Sequence, residues 1–244
     1  STAAKFITEQ PHLRPERPPG GPIGGVHTEF EPGDGMAKQH LLPQHTVRYN
    51  RNMTIEVKLR KFTVEEYARM GEAGVFAPDE RVELIEGDII PVSPQNHRHA
   101  KKIARLTTRL VKLFGESHEV RVQLPLTLGD KSEPEPDFAL VRLEVSDSCP
   151  RHPNQADLVL ELADSSLPFD RKTKASLYAK AGIPEYWVLN LKHQKVEVRT
   201  QPAENSEGPF DWDYSSLRVY SLGETVSPMF APQAEFNVEE LVVV

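Results

Sequence analysis

The rhythm of apolar and polar residues changes several times along this chain of 244 residues, and each change predicts an element. Up to about residue 55 there is no rhythm. The run RPERPPGGPIGG packs proline and glycine so densely that neither a helix nor a strand ladder can persist. Residues 1–55 are therefore expected to form an extended or disordered arm. From Met53 the texture changes. MTIEVKLRK alternates like a strand, and FTVEEYARMGEAG reads as a short helix in which Thr63 and Glu66 have capping-box spacing. RVELIEGDIIPVSP predicts a hairpin that turns at Glu86-Gly87-Asp88. The longest helical signal is HRHAKKIARLTTRLVKLFG, where Ile103, Leu106, Leu110 and Leu113 recur at helical spacing and Gly115 supplies a stop.

HEVRVQLPLTLG, PDFALVRLEV and ADLVLELAD read as three strands. IPEYWVLNL and KVEVRTQ add two more around Lys192-His193-Gln194. Between these groups FDRKTKASLYAKAGI predicts a helix ending at Gly182, and the tail suggests a further strand or two and a terminal helix or strand. Helices and strands mixed in this order predict an α/β (α+β) domain over residues 56–244, with a mixed central sheet flanked by helices.

Composition narrows the class. Hydrophobic content of 38% and charged content of 27% suit a soluble globular protein. The single cysteine, Cys149, forbids an intramolecular disulfide and a cysteine-rich zinc site, and it suits a reducing cytoplasm. No apolar run approaches the roughly 18 residues of a membrane span, and no signal-peptide core opens the sequence. A net charge of −7 argues against a protein coated with nucleic acid, while permitting a local basic patch.

Two strands carry the candidate chemistry. In PDFALV, Asp137, Ala139 and Val141 share one face. In DLVLELAD, Val159, Glu161 and Ala163 do the same. Both strands are apolar on both sides, as central strands are, so Asp137 and Glu161 are polar interruptions. A carboxylate inside such a strand is costly unless paired, protonated or bound to a metal. Asp137 can sit at the strand's mouth, but Glu161 has apolar residues on both sides. A structural ion pair is the plain alternative for it. On the following helix Leu177, Tyr178 and Ala181 lie at i+3, i+4 and i+7 from Lys174, which puts this lysine on the inward face. A snorkelling lysine at the edge of the core accounts for that pattern equally well. Two carboxylates suit Mg²⁺ or Mn²⁺, and an adjacent ammonium can orient a water or stabilise developing charge. Metal-dependent phosphodiester hydrolysis needs this set of groups.

EPEPDFALV, LVLELADSS, DRKTKASLYAKAGIPEYWV and VELIEGDII with SPQNHRH resemble the Uma family, restriction-endonuclease-type proteins of the PD-(D/E)XK nuclease superfamily. The resemblance runs from about Phe62 to Leu241. It implies a restriction-endonuclease-like fold with the site at one end of the sheet, an Mg²⁺-dependent endonuclease acting on DNA, and a homodimer. It places Pro136-Asp137 on the family's PD and Glu161 on its acidic position. Ala163 stands where the simplest superfamily pattern has a lysine, and Lys174 occupies the place to which the Uma family moves it. Glu83 resembles an additional acidic residue ahead of the PD strand, and a surface strand glutamate is its plain alternative. Of His97 and His99, one matches a family histidine able to bond an active-site carboxylate or contact phosphate. His97 is preferred here, while capping or solvent exposure explains it as well.

The long helix carries six Lys or Arg between Arg98 and Lys112 and no acid. Lys101, Arg105, Arg109 and Lys112 lie nearly opposite its apolar stripe and are expected to contact the DNA backbone. IPEYWVLN is read as structural. The competing functional reading is a nuclease-fold module without activity that binds nucleic acid or a protein partner. A hydrolase of another phosphate ester is a third. A serine hydrolase on Ser165 or Ser166 lacks a nucleophile elbow.

Overall fold

The computed structural model describes residues 46–48, 54–56, 59–92 and 96–243. The chain divides into two units, Ser1–Val57 and Lys58–Val244. Of the first unit the structure describes one antiparallel strand pair, β1 (Thr46–Arg48) with β2 (Thr54–Glu56), in which Val47 faces Ile55. The rest of the arm expected over residues 1–55 lies outside the described residues.

The second unit is a mixed α/β domain. Helix α1 (Val64–Glu72) starts at a full capping box, with Thr63 accepting from Glu66 N and Glu66 accepting from Thr63 N. Strands β3 (Val82–Ile85) and β4 (Asp88–Pro91) form the expected hairpin. Its two-residue turn has positive φ at both Glu86 (47°) and Gly87 (81°), the turn that matches strand twist. A Cβ on Gly87 would lie 2.7 Å from Lys61 Cβ, so only glycine fits there. The long helix is α2 (His97–Phe114), capped by Asn96.

Six strands build the central sheet in the order β10-β9-β8-β7-β6-β5. They are β5 (His118–Val122), β6 (Phe138–Arg142), β7 (Leu158–Ala163), β8 (Glu185–Asn190), β9 (Lys195–Glu204) and β10 (Trp212–Tyr220). Only β7 and β8 pair in parallel, so the sheet is mixed. The parallel pair needs a crossover, and a helical segment supplies it: α4 (Leu167–Phe169), a π-helical turn (Asp170–Lys174) and α5 (Ala175–Lys180). Gly182, at φ 74°, ends this segment in the left-handed conformation.

Strand parity divides the core into two layers. Phe138, Leu140, Leu158, Leu160 and Leu162 face α2 and the C-terminal helix α6 (Val238–Val242). Ala139, Val141, Val159 and Ala163 face the other way, against Ala175, Leu177, Tyr178 and Ala179 of α5. Among the described residues, no helix is long and apolar enough to cross a membrane.

Two expected elements differ. The strand read through HEVRVQLPLTLG ends at Val122, because Gln123 takes a left-handed φ of 52° and Pro125 has no N–H for a ladder. The strand read through PDFALVRLEV ends at Arg142, and Leu143–Ser148 form the short helix α3. The tail, read as further strand and a terminal helix or strand, follows β10 with a two-residue strand pair, β11 (Thr225–Val226) with β12 (Phe236–Asn237), before α6.

Candidate active site

Antiparallel register creates the site. β6 and β7 pair Phe138 with Leu160, and one step further along the same ladder sets Asp137 opposite Glu161. Asp137 N donates to Glu161 Oε2 at 3.3 Å, and Leu162 N donates to Asp137 Oδ2 at 2.8 Å. The expected shared face is real. It is the face covered by the crossover helix.

That helix brings Lys174 onto the pair. Lys174 Nζ lies 2.8 Å from Glu161 Oε1 and 3.2 Å from Glu83 Oε1, and its side chain is 7% exposed. The ammonium therefore does not snorkel to water, and no arginine ties up Glu161 among the described residues. Glu83, on β3, also accepts from Glu135 N at 3.1 Å, so it is a buried strand residue and not a surface one. Tyr178 OH completes the cluster at 2.9 Å from Glu161 Oε1.

Ser166, Asp170, Lys174 and Tyr178 follow one another at intervals of four along the crossover segment. In a regular α-helix each such step overshoots a full turn by about 40°. The wider π-helical turn across Asp170–Lys174 takes up that drift and keeps the ladder aimed at the sheet end. Ser166 Oγ donates to Asp170 Oδ2 at 2.6 Å. Ser166, Asp170 and Lys174 line a cleft of about 440 Å³ together with Glu83, Asp137 and Glu161, and its wall also includes His99, Gln123 and Asp164.

Burial and crowding of acids set the charges. Burial pushes the Glu161 carboxyl up to about 8, with Asp137, Asp170 and Glu83 adding to the rise against the pull of Lys174. Burial likewise raises Asp170 to about 6. Burial works against the Lys174 ammonium, but the carboxylates of Glu161, Glu83 and Asp170 outweigh it and hold the amine above its ordinary range. Asp137 goes the other way. Burial would raise it, yet the His99 imidazole, Leu162 N–H and Gln123 amide together hold it below the usual carboxylate value.

This geometry coincides with a family. A family model described as "Uma2: Putative restriction endonuclease" matches residues 64–239. The chain belongs to the Uma2 family. No curated protein matches it. Among solved structures it is similar to one described as a putative nuclease belonging to DUF820 from Anabaena variabilis ATCC 29413. The TM-score is 0.56 at 18% identity, over 74% of this chain and 97% of that one. At that identity the likeness is one of fold.

Within the Uma2 region the structure brings Asp137, Glu161, Lys174 and Glu83 together and leaves His97 out. His97 is exposed at the first position of α2. His99 is the histidine at the site, with Nε2 3.0 Å from Asp137 Oδ1, and Asn96 caps its N–H at 2.9 Å. Two residues on a helix are about 200° apart, so only one of the pair can face inward. His99 shares the stripe of Ile103, Leu106 and Leu110 at i+4, i+7 and i+11, whereas His97 does not. That stripe was the available signal.

Three further groups were not singled out from the sequence. Asp170 and Tyr178 stand four residues either side of Lys174, a spacing readable as a shared face. Gln123, whose Nε2 is 3.0 Å from Asp137 Oδ1, arrives through the left-handed turn that ends β5 and leaves no local signal.

The basic stripe on α2 lies outside this cleft. Lys101, Arg105 and Lys112 are exposed. Arg109 is half-buried, 3.8 Å from Glu240 and stacked 5.6 Å over the Phe236 ring. Lys102 is fully buried and donates to the carbonyls of Glu240 (3.0 Å) and Val243, which pins α6 to α2. Of the four cations expected to lie nearly opposite the apolar stripe, Arg109 alone is drawn in toward α6.

Proposed function

We propose that this protein is a metal-dependent endonuclease that hydrolyses phosphodiester bonds in DNA. The observation that carries the reading is the convergence of Asp137, Glu161 and the buried Lys174 ammonium in one cleft at the end of the central sheet.

The donor set fits a hard divalent cation. Asp137 and Glu161 would hold it through carboxylate oxygens. Among the described residues, no group of three or more His, Cys, Asp or Glu is arranged to hold a metal. A site with two protein carboxylates, completed by water and substrate oxygens, is the way Mg²⁺ is commonly bound. Burial and, to a lesser degree, the carboxylates of Asp137, Asp170 and Glu83 raise the Glu161 carboxyl, and a cation at this point would favour its charged form. When bound, Mg²⁺ or Mn²⁺ supplies Lewis acidity toward a phosphoryl oxygen and acidifies a water.

The chain's own residues do the positioning. His99 and Gln123 fix the Asp137 carboxylate, and Leu162 N–H holds its other oxygen. Lys174 stays charged beside Glu161 and offers an N–H donor where negative charge develops on the transferring phosphoryl group. Glu83 accepts from that ammonium as well. The exposed Lys101, Arg105 and Lys112 provide a sequence-independent surface for a nucleic-acid backbone.

The test is nicking of supercoiled plasmid with Mg²⁺ or Mn²⁺ by the wild type and Glu161→Ala. The expected result is nicking by the wild type alone. Equal nicking by both would remove Glu161 from the chemistry, and binding without nicking by the wild type would favour the inactive binding module.

A further inference from the structure

Each carboxylate oxygen has two lone pairs, so one that already accepts two hydrogen bonds has little left for a cation. Glu161 Oε1 accepts two, from Lys174 Nζ at 2.8 Å and Tyr178 OH at 2.9 Å. Glu161 Oε2 accepts one long bond, from Asp137 N at 3.3 Å. Asp137 repeats the arrangement. Its Oδ1 is engaged by His99 Nε2 and Gln123 Nε2, both at 3.0 Å, and its Oδ2 by Leu162 N alone. Each carboxylate thus has one filled oxygen and one half-open oxygen.

Tyr178 is the member of this set whose hydroxyl has no other partner among the described residues. Its ring is locked in the core against Tyr186, with centroids 5.0 Å apart, and its position four residues after Lys174 aims both donors at the same atom. We propose that Tyr178 is a positioning residue that determines cation specificity. With Lys174 it fills Glu161 Oε1, so Glu161 presents a single oxygen and cannot chelate. Ca²⁺ takes six to eight oxygens and favours bidentate carboxylates, whereas Mg²⁺ accepts single oxygens in an octahedral shell that keeps several waters. The arrangement selects the smaller ion. This inference rests on the reading that Asp137 and Glu161 hold a divalent cation.

The test is calorimetric titration of MgCl₂ and of CaCl₂, without nucleic acid, into the wild type and Tyr178→Phe. Thermal melts of the metal-free proteins verify folding. The wild type is expected to bind Mg²⁺ more tightly than Ca²⁺, and Tyr178→Phe to shrink that preference about tenfold or more, the usual scale of a lost supporting contact. A tyrosine that served packing alone would lower the melting temperature without moving the ratio. An unchanged ratio in a folded Tyr178→Phe overturns the proposal and leaves the two-carboxylate reading intact. Wild type that binds Ca²⁺ as tightly as Mg²⁺ overturns it without any variant. Absence of binding by either ion to the wild type overturns both.

Discussion

Lys174 donates to Glu161 across a buried contact, Nζ to Oε1 at 2.8 Å, although one is carried by a helix and the other by the strand before it. The pair is lopsided, because Glu83 and Asp170 also act on the same ammonium. Removing the lysine strands carboxylates in a low-dielectric site, and breaking a buried pair in that way costs about 3–5 kcal/mol. Lys174→Met is therefore expected to lose stability on this scale in urea unfolding of the metal-free protein. Glu161→Gln keeps a hydrogen-bond acceptor for Tyr178 and relieves acid–acid repulsion, so its loss should be less than half as large. Both substitutions are expected to abolish nicking. An equal stability loss in the two would contradict the asymmetry.

The site also dictates the pH dependence of the metal-free fold. Glu161, raised from 4.5 to about 8, and Asp170, raised from 3.8 to about 6, bind protons more strongly when folded. Stability from such groups is complete below the unfolded values and is lost as pH rises through the folded ones. His99, raised above its ordinary 6.5 because Asp137 outweighs the effect of burial, acts in the same direction. Asp137 is depressed and acts oppositely, losing its contribution only as pH falls through its lowered value. Melting temperature without metal should therefore decline from about pH 4.5 to about pH 8. Glu161→Gln should flatten this slope, and saturating Mg²⁺ should reduce it by neutralising the carboxylates. A melting temperature that climbs through this window in the wild type would refute the assignment.

The two histidines at the start of α2 separate cleanly. His99→Ala removes one of two side-chain bonds to Asp137 Oδ1 and should reduce activity about 10–100-fold, as lost supporting contacts at metal sites do. His97→Ala changes an exposed side chain and should match the wild type. Initial nicking rates at several Mg²⁺ concentrations measure both. A deficit in His99→Ala that extra Mg²⁺ partly restores would assign the effect to the hold on Asp137.

How far this site could be read in advance depends on range. Asp137, Glu161 and Lys174 stood out because each violates a local pattern, a carboxylate inside an apolar strand or a cation on an apolar helical face. Strand parity and the i+4 rule are enough to see that. Glu83 and His99 required knowing which face of an element turns inward. For His99 the apolar stripe of α2 held the answer, and the neighbouring His97 obscured it. Gln123 could not be seen at all, since its place depends on a left-handed residue at a strand end and on the register of β5 against β6. The short helix α3 was hidden for a related reason. LEV continues the apolar texture of the strand before it, and only the three-dimensional end of the sheet stops that strand at Arg142.

The basic stripe of α2 yields the last prediction. Contacts to phosphate release counterions, so each cation that makes one contributes about one unit to the slope of log K against log salt. Lys101, Arg105 and Lys112 are exposed, and replacing any of them with alanine should lower the slope by about that amount. Arg109 differs, because it sits against Phe236 and Glu240. Arg109→Ala should cost about 0.5–1 kcal/mol of stability, the range for a cation over an aromatic ring near the surface, with little change in slope. Fluorescence anisotropy of labelled duplex DNA in EDTA, across a salt series, reads the slope without cleavage. Denaturant melts read the stability. A slope that falls with Arg109→Ala as much as with Arg105→Ala would show that the Glu240 contact opens when DNA binds, and slopes unmoved by all four would place the DNA on another face of the domain.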